Sequence, residues 1–103
     1  MANYLLVYYG GKPAAPDQRQ KIMDDWMNWF KSLGQAVVDP GNPTKPGKTV
    51  SNKGVKNGAI GEMVMGYSIL KADSIDAVVE MAKKCPQLAA GGQIAIYEVL
   101  SMM

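Results

Sequence analysis

Histidine is absent from all 103 residues. That removes the usual general base near neutral pH and the commonest metal ligand, so a metal site built on imidazole is impossible. Cysteine occurs once, as Cys85, and one thiol permits no internal disulfide. Neither sign of charge is in large excess: eleven Lys and Arg against nine Asp and Glu leave a formal charge of +2, which gives no nucleic-acid footprint. The local exception is Lys45, Lys48, Lys53 and Lys56, with no acid among them. Gly, Pro, Asn and Ser separate these lysines and no aromatic residue intervenes to stack on a base, as expected of a solvated loop. No apolar run approaches the roughly 20 residues needed to span a bilayer; Tyr4 to Tyr9 is among the longest. The Met1-Ala2-Asn3 start has neither the basic segment nor the apolar run of a secretion signal, and a cytoplasmic protein without a membrane or nucleic-acid partner is the expectation.

What is present is the composition of a folded domain. Hydrophobic residues make up 48% and charged residues 19% of the chain, and a single domain spanning residues 1–103 should bury roughly two-thirds of its unfolded surface. Asn3 to Tyr9, "NYLLVYY", closed by Gly10-Gly11, predicts a strand covered on both faces. After Pro13 and Pro16, the residues Ile22, Trp26, Trp29, Phe30 and Leu33 mark one stripe of a helix that Gly34 ends. Gln35 to Asp39 predicts a short second strand before Pro40-Gly41. From Gly41 to Gly66 the chain is rich in Gly, Pro, Asn and Lys, with two weak extended pieces near Thr49-Val50 and Gly54-Val55. A connection this long in so small a domain is the prime candidate for a functional loop.

Gly66 to Ala72 has strand composition and leads into Asp73-Ser74, either of which can cap a helix carrying Ile75, Val78, Val79, Ala82 and Cys85 on one stripe up to Pro86. A Gly91-Gly92 turn then precedes a last strand from Gln93 to Leu100. The order βαβ, loop, βαβ predicts an α+β protomer of the ferredoxin-like type, its two helices on one sheet face. All four strands are apolar at both parities, so the bare face should be hidden in a two-fold homodimer, forming a dimeric α/β barrel.

The stretch "GNPTKPGKT", Gly41 to Thr49, ends like a nucleotide-binding loop, but five residues rather than four separate Gly41 from Gly47, and Pro43 and Pro46 lack the N–H groups that would cradle phosphate. Cys85 lies on an apolar stripe at a helix C-terminus, where the dipole disfavours a thiolate, so core packing is its expected role. Asp24 and Asp25 point in different directions on their helix, and Asp73 and Asp76 have the spacing of N-terminal capping residues; neither pair makes a catalytic dyad. Asp39, Glu62 and Glu98 are single carboxylates able to act as acid or base only if buried at a cleft. Trp26, Trp29 and Phe30 coincide with the main stripe and so point first to core, with room for one tryptophan to border a cavity. Met23, Met27, Met63, Met65 and Met81 suit either gap filling or an adaptable cavity wall.

"WMNWFKSLGQAVVDPGNP", "GYSILKADSIDAVVEMAKKCP" and "GGQIAIYEV" together resemble the YCII-related family, small proteins of the dimeric α/β-barrel superfamily. The resemblance spans nearly the whole chain and implies a ferredoxin-like protomer, a homodimer and a function mostly unassigned. Catalysis proposed for the family concerns members with a His on the first helix paired with an Asp; here Trp26 occupies the matching position, which puts that chemistry out of reach. The family's Asp-Gly-Pro-Phe motif is replaced by "NGAI", Asn57 to Ile60, whereas Asp39-Pro40-Gly41-Asn42-Pro43 matches a loop that similar folds bring to the rim of a cavity between sheet and helices. The leading expectation is a homodimer binding a small organic ligand at Trp26, Trp29, Asp39 and Asn42, with no metal or cofactor. The alternatives are an enzyme using Asp39 or a tyrosine as proton carrier, and a structural dimer module whose cavity is filled by side chains.

Overall fold

Alternation along the first strand sets the architecture. In β1 (Ala2–Gly10), Tyr4, Leu6 and Tyr8 are buried, while Leu5, Val7 and Tyr9 between them stay partly exposed. A pleated strand sends successive side chains to opposite faces, so one face of the sheet is sealed and the other is not. The computed structural model describes residues 1–101. In it β1 is central, pairing antiparallel with β5 (Val64–Ala72) on one side and β6 (Gly92–Val99) on the other, and β2 (Val37–Asp39) flanks β5 to give the order β2-β5-β1-β6. This is the ferredoxin-like α+β arrangement that the order of elements predicts.

Helix α1 (Arg19–Leu33) follows a 3-10 turn at Pro16–Gln18, and proline suits such a start because the first N–H groups of a helix have no partner to lose. Gly34 ends it at φ 57°, its N–H donating to the carbonyls of Phe30 and Lys31. Helix α2 (Ile75–Ala82) is capped by Ser74, whose hydroxyl accepts from the Ala77 N–H at 3.2 Å. The stripe through Cys85 predicts a longer helix than forms. Pro86 excludes its predecessor from helical backbone, and Cys85 is extended at φ −71°, ψ 136°. Pro86 then opens a further short helix, α3 (Pro86–Ala89), which periodicity does not reveal.

The second strand is shorter than expected, because Gly34–Ala36 forms a 3-10 turn and only Val37–Asp39 pairs regularly. Beyond it Asn42 to Thr44 still run beside β5: the Asn42 carbonyl accepts from the Tyr67 N–H, and the Thr44 N–H donates to the Met65 carbonyl. Pro40 and Pro43 cannot donate, which interrupts the ladder. The two weak extended pieces pair as a hairpin of β3 (Lys48–Ser51) and β4 (Gly54–Asn57), a separate two-stranded sheet.

The core lies between the sheet and α1 and α2. Tyr4, Leu6, Tyr8, Leu70 and Ala72 meet Trp29, Val78, Ala82 and Cys85. On the opposite face Leu5 sits between Ile69 and Tyr97, and Val7 between Tyr67 and Ala95, six apolar or aromatic residues in two rows across three strands. The sequence expectation of strands apolar throughout is broken towards the ends of this face, where Asn3 and Lys71 stand in a row with Val99, and Gln93 stands beside Tyr9. No helix among the described residues is long and apolar enough to cross a membrane.

Candidate functional site

The aromatic stripe of α1 is wider than the sheet can bury. Trp29 is 5% exposed and donates its indole N–H to the Met81 carbonyl at 3.0 Å, tying α1 to α2. Trp26 and Phe30 are only partly buried. Trp26 is held edge-on by Tyr8 at a centroid distance of 5.0 Å and by Trp29 at 5.8 Å, with interplanar angles of 81° and 84°. Such T-shaped contacts suit the ring quadrupoles and orient the indole without hydrogen bonding it.

A second wall comes from the loop after β2. Gly41 has φ +73°, and a Cβ there would lie 1.7 Å from the Tyr67 carbonyl oxygen, so only glycine lets the loop approach β5 this closely. The loop is also pinned from within: the Tyr8 hydroxyl donates to Ser68 Oγ at 2.8 Å, and Ser68 Oγ donates to the Pro40 carbonyl at 2.7 Å. Ser68, with no exposed surface, is thereby satisfied on both sides.

Between α1 and this loop lies a cleft of about 540 Å³. Met23, Trp26, Met27 and Phe30 face Pro40 to Pro43 across it, and Tyr8, Met65, Gly66, Tyr67 and Gln87 complete the lining. Among the described residues no Asp, Glu, Lys or Arg contributes. The Gln87 amide is committed to the carbonyls of Tyr9 and Gly10, both at 2.9 Å. Burial raises Tyr8 well above the ordinary phenol value, outweighing the opposite effect of its bond to Ser68, so it acts as a neutral donor. Burial likewise pushes the Cys85 thiol up to about 12, and this cysteine is a core residue, as its stripe position predicts.

The four candidate residues separate into two pairs. Trp26 and Asn42 line the cleft. Trp29 supports Trp26 edge-on and does not line the cleft, while the Asp39 carboxylate accepts from the Gly41 N–H at 2.8 Å and shapes the loop. Glu62 borders a different hollow, of about 430 Å³, with Gly10, Gly11, Gly91 and Gly92. The Gly-Lys-Thr stretch enters β3, and no helix follows it: Gly47 accepts from the Gly58 N–H and Thr49 Oγ1 donates to the Gly58 carbonyl. Of the tyrosines that the sequence left open between cleft and interface, Tyr8 lines the cleft, whereas Ser68 and Gln87 are site residues that sequence reasoning missed. A serine at an inward position of an otherwise apolar strand was the available signal for Ser68; nothing marked Gln87 one residue past the expected helix end. Among the described residues no three His, Cys, Asp or Glu side chains are grouped to hold a metal.

A search of curated proteins gives no match. Among solved structures the chain is similar to the 5-chloro-2-hydroxyhydroquinone dehydrochlorinase of Burkholderia phenoliruptrix AC1100 in complex with 2,5-dihydroxybenzoquinone, at 19% identity and a TM-score of 0.58 over 94% of this chain and 93% of that one. At this identity the likeness concerns the fold. A model of the YCII-related domain matches residues 2–103, and with the ferredoxin-like topology in agreement, the chain belongs to the YCII-related family.

Proposed function

We propose that the protein is a homodimer that binds a small, flat, largely apolar organic molecule in the cleft beside Trp26. The observation that carries this reading is an open cleft walled by an oriented indole and methionines, without an ionised side chain. Its volume falls within the roughly 300–1,000 Å³ of small-molecule sites. Trp26 offers a face for a ring to stack on, the methionines can adapt to its outline, and Asn42 at the loop can supply a donor or acceptor. The fold relative was solved with a dihydroxybenzoquinone, a ligand of this shape. The open cleft beside Trp26 weighs against a purely structural dimer whose cavity is filled. The apolar centre of the bare sheet face supports the homodimer.

A second reading, an enzyme needing neither metal nor cofactor, draws on the place of Asp39 at the start of the loop that walls the cleft. Titrating native tryptophan fluorescence with hydroxylated quinones and phenols, alongside mass spectrometry of compounds that copurify, tests the binding reading. Saturable quenching is expected, weakened at least tenfold in Trp26→Ala; no quenching at millimolar ligand, or equal quenching in the variant, refutes it. If a bound compound is turned over, Asp39→Asn separates the readings: lost turnover with retained affinity supports the enzyme.

A further inference from the structure

The β3–β4 hairpin has no core of its own and borrows none from its chain. Val50 and Val55 stand directly opposite each other and are 74% and 63% exposed. Two-stranded hairpins alone in water are marginally stable, so an ordered one with a bare apolar pair is missing a surface to rest on. Its base is firmly built, with the Gly58 N–H donating to Gly47 and Thr44 bonded through N–H and hydroxyl to the Met65 and Val64 carbonyls. That base continues the β2 edge through the Pro43–Gly66 bridge, so the hairpin grows from the margin of the sheet that carries the bare apolar face. The chain's radius of gyration is 14.9 Å, against about 13 Å for a compact domain of 100 residues.

Charge identifies what the hairpin fits. Residues 44–58 hold Lys45, Lys48, Lys53 and Lys56 and no acid, which leaves seven Lys and Arg against nine Asp and Glu in the rest of the chain. The body is thus the electrostatic complement of its own arm. We propose that residues 44–58 are an arm that closes on the body of a second copy, burying Val50 and Val55 there and setting its lysines against that copy's carboxylates. A polyanion such as single-stranded nucleic acid would use the lysines but leave the valine pair bare, and the arm has no aromatic residue to stack on bases.

The proposal rests on the homodimer reading, and its test separates the two. Light and isotopically heavy protein are mixed, allowed to exchange subunits and coupled with a zero-length carbodiimide; mixed-isotope links from the arm lysines to body carboxylates are expected. A variant carrying Val50→Asp and Val55→Asp should keep its far-UV circular dichroism and raise the dimer dissociation constant at least tenfold. An unchanged constant, or arm links within one chain only, overturns the arm while a dimeric wild type leaves the sheet-face reading standing. A monomeric wild type overturns both. Micromolar binding of a single-stranded oligonucleotide, lost in Lys48→Glu with Lys56→Glu while dimerisation is unchanged, overturns the arm in favour of a polyanion.

Discussion

The two faces of the four-stranded sheet come from the same strands, one residue out of step, yet they have opposite chemistry. On the helix side Tyr4, Leu6 and Tyr8 are sealed beneath α1 and α2, and the buried Ser68 hydroxyl has both its bonds made within the chain. On the other side Leu5, Val7 and Ile69 form an apolar centre that stays partly open, and Tyr97 is 55% exposed. A sealed face stabilises the protomer by itself; an open one contributes only when something covers it. The contrast divides the molecule into a part that determines whether the protomer folds and a part that determines what it joins.

The largest expected effect is Leu6→Ala on the sealed face. It removes a fully buried side chain and should cost about 2–5 kcal/mol in chemical denaturation. A loss below about 1 kcal/mol would show that the helix layer is not packed as described. Leu5→Asp, one position along, reverses the outcome: secondary structure is retained while sedimentation shows the dissociation constant of the proposed dimer raised more than tenfold. A folded variant that associates as tightly as wild type would remove the bare face from the interface.

Alkaline pH probes the sealed face without mutation. Burial raises Cys85 from the ordinary thiol value of 9.0 to about 12 and raises Tyr8 above its ordinary 10.0. The folded chain therefore keeps protons that the unfolded chain releases, so the contribution of these groups is complete below about pH 9 and is lost as pH rises towards 12. The melting temperature should fall across that window, and Cys85→Ala should flatten the fall; an equally steep fall in the variant would mean that the thiol is not buried. A smaller effect is expected of Tyr8→Phe, which deletes one donor while Ser68 keeps its bond to Pro40, at a cost of about 1 kcal/mol. Tyr97→Phe on the open face should change protomer stability by less than about 0.5 kcal/mol.

Helix α1 and the four main strands were legible because each signal was local: an aromatic stripe at helical spacing, apolar runs, and glycine or proline at the ends. The end of α2 was misplaced because the apolar stripe runs on through Cys85, whereas the conformational exclusion before Pro86 is a stronger local constraint than periodicity. Of the candidate site, Trp26 and Asn42 were placed on the cleft, while Trp29 and Asp39 turned out to hold up its walls. Sequence spacing puts all three stripe aromatics on one helix face but cannot say which of them meets the sheet and which meets the loop. That depends on how far the loop approaches, and Gly41 sets the approach through a contact with a strand some 25 residues away in the chain.

By itself the sequence determined the four main strands and two longer helices, their order, that both helices share one sheet face, and the exclusion of histidine chemistry, because periodicity and composition act between near neighbours. Only the tertiary structure decided that Tyr8, Ser68 and Pro40 form one hydrogen-bonded chain, that Asp39 shapes the loop instead of lining the cleft, and that the valines of the lysine-bearing arm stand uncovered. Each of these depends on strand register. A shift of one residue would exchange the faces of a whole strand, and register is settled by packing between segments distant in sequence.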